Sequence, residues 1–173
     1  VSQPNEVVID AMMAYLREFV EVPHPVFGDL PVCPFARKAR LDNTIQFQVY
    51  PFTQNEVEPD SQFMELVTDF TRDAGSEILI MIHPRPAGMS LAAMESFVEA
   101  LNLHLLPLEL MAFGGHPEDN FNIQGVYTRR SPYPHLSIQS TPFLNQVTQS
   151  LRQTGYYQNW TAADLDVIGF HER

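Results

Sequence analysis

The side chains best suited to chemistry fall in four segments. They are Val32-Cys33-Pro34-Phe35-Ala36-Arg37, His83-Pro84-Arg85, His116-Pro117-Glu118-Asp119-Asn120, and Arg129-Arg130-Ser131-Pro132-Tyr133-Pro134-His135. Cys33 lies close to Arg37, Lys38 and Arg40. Neighbouring cations favour a thiolate, which is both nucleophile and metal ligand. Read structurally, the same cysteine is a small buried hydrophobe. Its Cys-Pro dipeptide also suits an axial thiolate to haem iron. His83 and His116 each precede a proline, which fixes the chain after the ring. Neutral imidazoles serve both proton transfer and metal binding. With Cys33 they compose a metal-ligand set suited to zinc or iron, although no compact metal-site spacing is present. The structural alternative is that each ring bridges backbone groups where a strand ends.

The remaining candidates are polar. Asp119 can orient an imidazole or supply an oxygen ligand, and it is equally a turn residue. Arg130, with Arg129 beside it, offers a planar fork for a carboxylate or phosphate. The alternative is a pairing with one of the 21 acidic residues. Tyr133 can donate a hydrogen bond or a proton, or pack beneath the loop. The catalytic candidates are therefore Cys33, His83, His116 and Tyr133, and the ligand-binding candidates Arg130, Arg129 and Asp119. His24 and His171 have no supporting context, and His104 falls on a predicted helix.

Elements that would position these residues are legible from periodicity. Ile9, Met12, Met13, Leu16, Phe19 and Val20 recur at helical spacing over 5–20. Residues 22–43 lack a period and read as a long proline-rich loop. Thr44 to Tyr50 alternate as a strand with Ile45, Phe47 and Val49 on one face. A helix capped by Ser61 follows over about 62–74, with Gly75 expected in the left-handed position after it. Ile78 to Ile82 form a doubly buried strand. Ser90 caps a helix over about 91–105, and Leu108 to Phe113 form a third strand. Residues 114–139 read as a second long connection with a short strand near 123–127. Thr141-Pro142 opens a helix to about 153, and Thr161 with Asp164 caps a last one.

This order predicts a single compact α/β domain over 1–173. It has a small, mainly parallel sheet with a β-α-β-α-β core and flanking N- and C-terminal helices. Ligands of such sheets gather at the strands' carboxyl ends, where His83 and His116 both fall.

Composition narrows the partners. The chain has 173 residues, 45% of them apolar, enough to bury ~70% of its unfolded surface. Its net charge is −11, with Lys38 the single lysine. Nucleic acid and anionic membrane surfaces both need a cationic face, so a small-molecule ligand is the expected partner. One cysteine permits no internal disulfide and favours a reducing, cytoplasmic setting. No apolar stretch approaches the ~18 residues of a membrane span.

The ordered series Cys33-Pro34-Phe35-Ala36, Ile82-His83-Pro84, His116-Pro117 with Phe121, and Arg130-Ser131-Pro132-Tyr133-Pro134 resembles the bacterial uncharacterised proteins grouped as the DUF1415 family. The resemblance runs from about residue 7 to 155. It implies that the four segments converge on one site, with Cys33, His83, His116, Arg130 and Tyr133 as the positions carried over. Two positions depart from the family's pattern: Arg129 replaces an asparagine, and Ser137 replaces a histidine, with His135 two positions earlier. In an extended segment His135 and Ser137 share a face, but the ring would be shifted by ~7 Å, so His135 does not simply replace the missing histidine. The sequence thus predicts an enzyme acting on a small polar or acidic metabolite, with zinc, iron or haem as conceivable cofactors. The alternatives are a non-catalytic metabolite- or haem-binding module and a redox-sensing thiol at Cys33.

Overall fold

In the computed structural model, which describes residues 3–169, the first amphipathic segment folds as α1 (Asn5–Tyr15) and continues as a π-helical turn, Leu16–Val20. The Glu21 N–H donates to Leu16 O at 2.8 Å, the wider bond of such a turn. The proline-rich stretch is more structured than its lack of period suggests. It holds a small hairpin, β1 (Pro23–His24) and β2 (Leu30–Pro31), and a short helix, α2 (Ala36–Leu41). Next come β3 (Ile45–Val49), α3 (Gln62–Arg72), β4 (Ile78–Ile82), α4 (Leu91–Leu105) and β5 (Leu110–Gly115). A two-residue hairpin, β6 (Asn122–Ile123) with β7 (Val126–Tyr127), precedes β8 (His135–Ser140), α5 (Thr141–Arg152) and α6 (Ala162–Val167).

The capping signals are realised. Ser61 and Ser90 each accept a backbone N–H from the first turn of α3 and α4; Ser140, a cap the sequence reading did not name, does the same for α5. Thr161 and Asp164 form a reciprocal capping box on α6. Gly75 is not in the left-handed region; α3 ends instead in an Asx turn, with Asp73 Oδ1 accepting the Gly75 N–H at 2.9 Å.

The domain is mixed α/β, and its main sheet has the order β3-β4-β8-β5. Strands β3, β4 and β5 run in one direction, as their alternation with helices requires. They are not all neighbours: β8 lies antiparallel between β4 and β5, so that only the β3–β4 pairing is parallel. The expectation of a mainly parallel sheet is corrected accordingly. The α4 crossover leaves a gap one strand wide, and the segment read as irregular connection fills it. His135 pairs with both Ile82 and Gly115 in register.

Alternation along β4 and β8 then divides the molecule. Leu79, Met81, Leu136 and Ile138 face α3 and α4 in one core with Phe52, Phe63 and Phe97. Ile78, Ile80 and Ile82 face the opposite way, toward Val8 and Met12 of α1, Leu16 and Val20 of the π turn, and Ala36 and Ala39 of α2. A third cluster, Phe27, Ile123, Leu151 and Tyr156, closes the α5 end. Gly28, at φ +64°, is needed there, because a Cβ would come within 2.7 Å of the Gly155 backbone. Among the described residues no helix is long and apolar enough to cross a membrane.

Candidate functional site

The sheet separates the four segments that the sequence nominated. His83 follows β4 on the α3–α4 side, where its ring meets Phe52 edge-on at 5.5 Å. Its Nδ1 accepts the Arg85 N–H at 3.1 Å, and burial lowers its pKa. His116 lies on the same side. Its Nε2–H donates to Met89 O at 2.7 Å, and its Nδ1 accepts the Glu118 N–H at 3.0 Å. With both nitrogens engaged and the residue buried, His116 braces the turn after β5 against the loop before α4. This is the backbone-bridging role.

Cys33 lies on the other side, beside the π turn. Its expected cations are engaged elsewhere. Arg40 forms a two-point pair with Glu21, at 2.9 and 3.2 Å, and Lys38 pairs with Asp42. Burial pushes the Cys33 thiol up, and the Glu21 carboxylate pushes it further the same way. Among the described residues no group of three or more His, Cys, Asp or Glu side chains could hold a metal ion. Cys33, His83 and His116 therefore do not come together as the three ligands of one metal centre among the described residues. A neutral, half-buried thiol is a slow nucleophile. Alkylation of Cys33 by iodoacetamide in the folded protein near neutral pH is expected to be ~10-fold or more slower than in the urea-unfolded chain. Equal or faster modification would restore the redox-sensing thiol.

Tyr133 and Arg130 also take framework roles. Tyr133 is buried in the α1-side core, and its main-chain oxygen accepts the Ser131 hydroxyl at 2.8 Å. Arg130 is exposed. Its Nε donates to Asp119 O at 2.8 Å, and its guanidinium stacks on Tyr127 at 3.7 Å. The Asp119 carboxylate accepts the Phe121 N–H.

What the fold does bring together is a cavity of about 260 Å³ on the α1 side of the sheet. Tyr15, Leu16 and Val20 reach it from the end of α1 and the π turn. Cys33 and Phe35 reach it from the loop before α2, and Leu144 and Thr148 from α5. Its floor is the polar face of β8, His135, Ser137 and Gln139, with Ile78, Ile80 and Phe113. The walls are mainly apolar, and a few polar groups converge on them, as in small-molecule sites generally. Two ties fix the walls: the Tyr15 hydroxyl donates to Thr128 O at 3.2 Å, and the Tyr156 hydroxyl donates to Val32 O.

Arg129 supplies the cavity's cation. Its guanidinium lies 4.7 Å from the Phe121 ring centre and 5.9 Å from that of Phe113. Asp119 acts on it through space but forms no ion pair with it. Burial holds the Arg129 pKa below the ordinary arginine value. Nor does its side chain make a hydrogen bond among the described residues. The only sealed side-chain polar atoms there without such a bond are Gln46 Oε1 and Trp160 Nε1. The guanidinium nitrogens are therefore open to the cavity they line.

His135 is the second open group. Ser131 Oγ, whose own proton goes to Tyr133 O, lies 2.9 Å from His135 Nδ1, and Tyr133 O lies at 3.4 Å. Both oxygens can only accept, which assigns the proton to Nδ1 and leaves Nε2 as a bare lone pair. Burial, with Arg129 adding to it, depresses the His135 pKa to about 4. The ring rests directly over Gly115, where an added Cβ would lie 2.1 Å from its Cε1. Only glycine at that position allows the cross-strand neighbour to hold this imidazole flat.

Of the positions singled out in the sequence for chemistry, the cavity takes in Cys33 and Arg129. Tyr15, His135, Ser137 and Gln139 were not assigned roles. For the three on β8 the signal was the alternation His135-Leu136-Ser137-Ile138-Gln139, polar on one face and apolar on the other.

The fold and site thus define a mixed α/β domain with one amphipathic, cation-bearing cavity on a sheet face. No protein-family model, curated protein or solved structure matches the chain.

Proposed function

We propose that this protein is a binding module for a small amphipathic carboxylate, held in the α1-side cavity with its anionic end on Arg129. The carrying observation is the open Arg129 guanidinium, stacked on Phe121 with no ion-pair or hydrogen-bond partner among the described residues. A charge in such a setting is costly unless it is paired, and its planar fork fits a carboxylate at two points. The apolar walls suit a hydrocarbon or aromatic body. The volume lies below the ~300–1,000 Å³ of drug-sized pockets, so the ligand is small.

Binding is favoured over catalysis by the state of the other titratable groups. Burial raises the Cys33 thiol and the Tyr15 phenol and lowers His135, so all three are neutral near pH 7. Catalysis on the same acid, the leading expectation from the sequence, requires one of them to ionise in the complex. Kinship with the DUF1415 family is proposed on the order of the four motifs alone.

Calorimetric titration with benzoate and hexanoate, each against its amide, tests this reading. The acids are expected to bind and the amides to bind ~10-fold or more weakly, since a hydrogen bond to a charged group contributes about 1.5–3 kcal/mol. Equal affinities of acid and amide, or no binding of either, would overturn it.

A further inference from the structure

We infer that the cavity selects carboxylates carrying a second, neutral hydrogen-bond donor, a hydroxyl or an N–H, and that His135 Nε2 is the acceptor that reads it. This rests on the carboxylate reading above and narrows it to hydroxy or N–H-bearing acids.

The argument begins with what the cavity lacks. Its cation is Arg129, and the Tyr15 hydroxyl is already committed to Thr128 O. Arg129 recognises acceptors only, because a guanidinium has five donors and no acceptor. A ligand of acceptors and hydrocarbon would satisfy it and leave His135 Nε2 facing apolar atoms. Displacing water from that lone pair without replacing the hydrogen bond carries a penalty, so such a ligand is disfavoured. A ligand that also presents an O–H or N–H removes the penalty.

Three features make His135 a fixed acceptor rather than an adaptable ring. Ser131 Oγ and Tyr133 O both claim Nδ1–H, so the tautomer with the proton on Nε2 would lose the Tyr133 O contact and draw the Ser131 hydroxyl proton away from Tyr133 O. Register on both edges of β8, to Ile82 and to Gly115, fixes the backbone beneath the side chain. The close approach over Gly115 leaves the ring little freedom to turn. Protonation, which would convert the acceptor into a donor, is opposed by burial and by Arg129 nearby. The acceptor and the cation line one cavity, so a single small molecule can reach both.

The test compares the three hydroxybenzoates and mandelate with their methyl ethers, and the hydroxybenzoates also with unsubstituted benzoate. Calorimetry is run on the wild-type chain and on His135→Phe. At least one hydroxy acid is expected to bind roughly 10-fold or more tightly than its ether, the scale of a buried hydrogen bond. That preference should vanish in His135→Phe, whose affinities for the hydroxy acid and its ether should converge. Should the variant fail to fold, the wild-type protein answers by ¹⁵N NMR: the bare Nε2 resonance should move upfield with the preferred hydroxy acid and stay in place with its ether. Benzoate binding with no preference for any hydroxy acid, or an Nε2 resonance unmoved by all of them, would overturn the inference and leave the carboxylate reading standing. No binding by any carboxylate would overturn both.

Discussion

Arg129→Met is expected to reduce carboxylate affinity by about 100-fold while leaving the melting temperature unchanged or slightly higher. The two halves of this result have one cause. In the free protein the guanidinium has desolvation to bear and no ion pair to offset it. Its compensation is the faces of Phe121 and Phe113, worth about 0.5–2 kcal/mol as cation–π contacts. Methionine keeps most of the packing volume against those rings and removes a half-buried charge that has no ion-pair partner, a change that is often neutral or stabilising. In the complex the same charge is worth far more, because a two-point carboxylate pair forms where water is scarce. Loss of about 2–3 kcal/mol of binding corresponds to the stated factor. A structural arginine would behave the other way, with a marked fall in melting temperature and little change in affinity. Calorimetry with benzoate and a thermal melt on the same preparation separate the two cases.

Acid should destabilise the protein through His135 well before its carboxylates are exhausted. The folded-state pKa of about 4 lies below the ordinary 6.5. The unfolded chain therefore takes up the proton first as the pH falls. The stabilisation is fully present above about pH 6.5 and is lost progressively down to about pH 4. At about 1.4 kcal/mol for each pH unit the whole effect amounts to at most about 3 kcal/mol, reduced by whatever water reaches Nε2 through the cavity. Arg129 from the loop before β8 and Tyr15 from α1 face the imidazole. Tyr15 stays neutral across this range, and Arg129 keeps its charge, so neither compensates. His83, whose pKa burial also lowers, adds in the same direction. Urea unfolding at about pH 7 and about pH 5 should show the wild-type chain losing more stability than His135→Gln. Parallel losses in the two proteins would exclude His135 as the source.

The recruitment of His135 shows where reading the chain stopped short. Its segment has the alternation of a half-buried strand, but Pro132 and Pro134 stand immediately before it. Prolines mark the ends of strands and of loops alike. A strand in the middle of a sheet is set by partners on both edges, and those partners, β4 and β5, lie 53 and 20 residues back in register at His135, opposite Ile82 and Gly115. No local pattern carries that pairing. Which of the two candidate ligand-binding arginines, Arg129 and Arg130, lines the cavity was not legible for a related reason. Adjacent residues in an extended chain point opposite ways, and which of them faces inward depends on where the chain docks. Here Arg130 turns out to Tyr127 and Asp119, and Arg129 turns in to Phe121 and Phe113.

By itself the sequence determined what is local. The helices read over 5–20, about 62–74, about 91–105 and 141 to about 153, the caps at Ser61 and Ser90, and strands β3, β4 and β5 follow from periodicity, capping chemistry and the burial of apolar faces, all of which act within a few residues. Acidity and the single cysteine likewise set expectations about partners and compartment. Only tertiary structure decided which reactive side chains meet. It set His83 and His116 on one face of the sheet, and Arg129, His135 and Cys33 on the other. The physical reason is that a sheet is one residue thick. A shift of one position in register, or one strand inserted between two others, changes the side on which a side chain emerges without changing the composition of any segment.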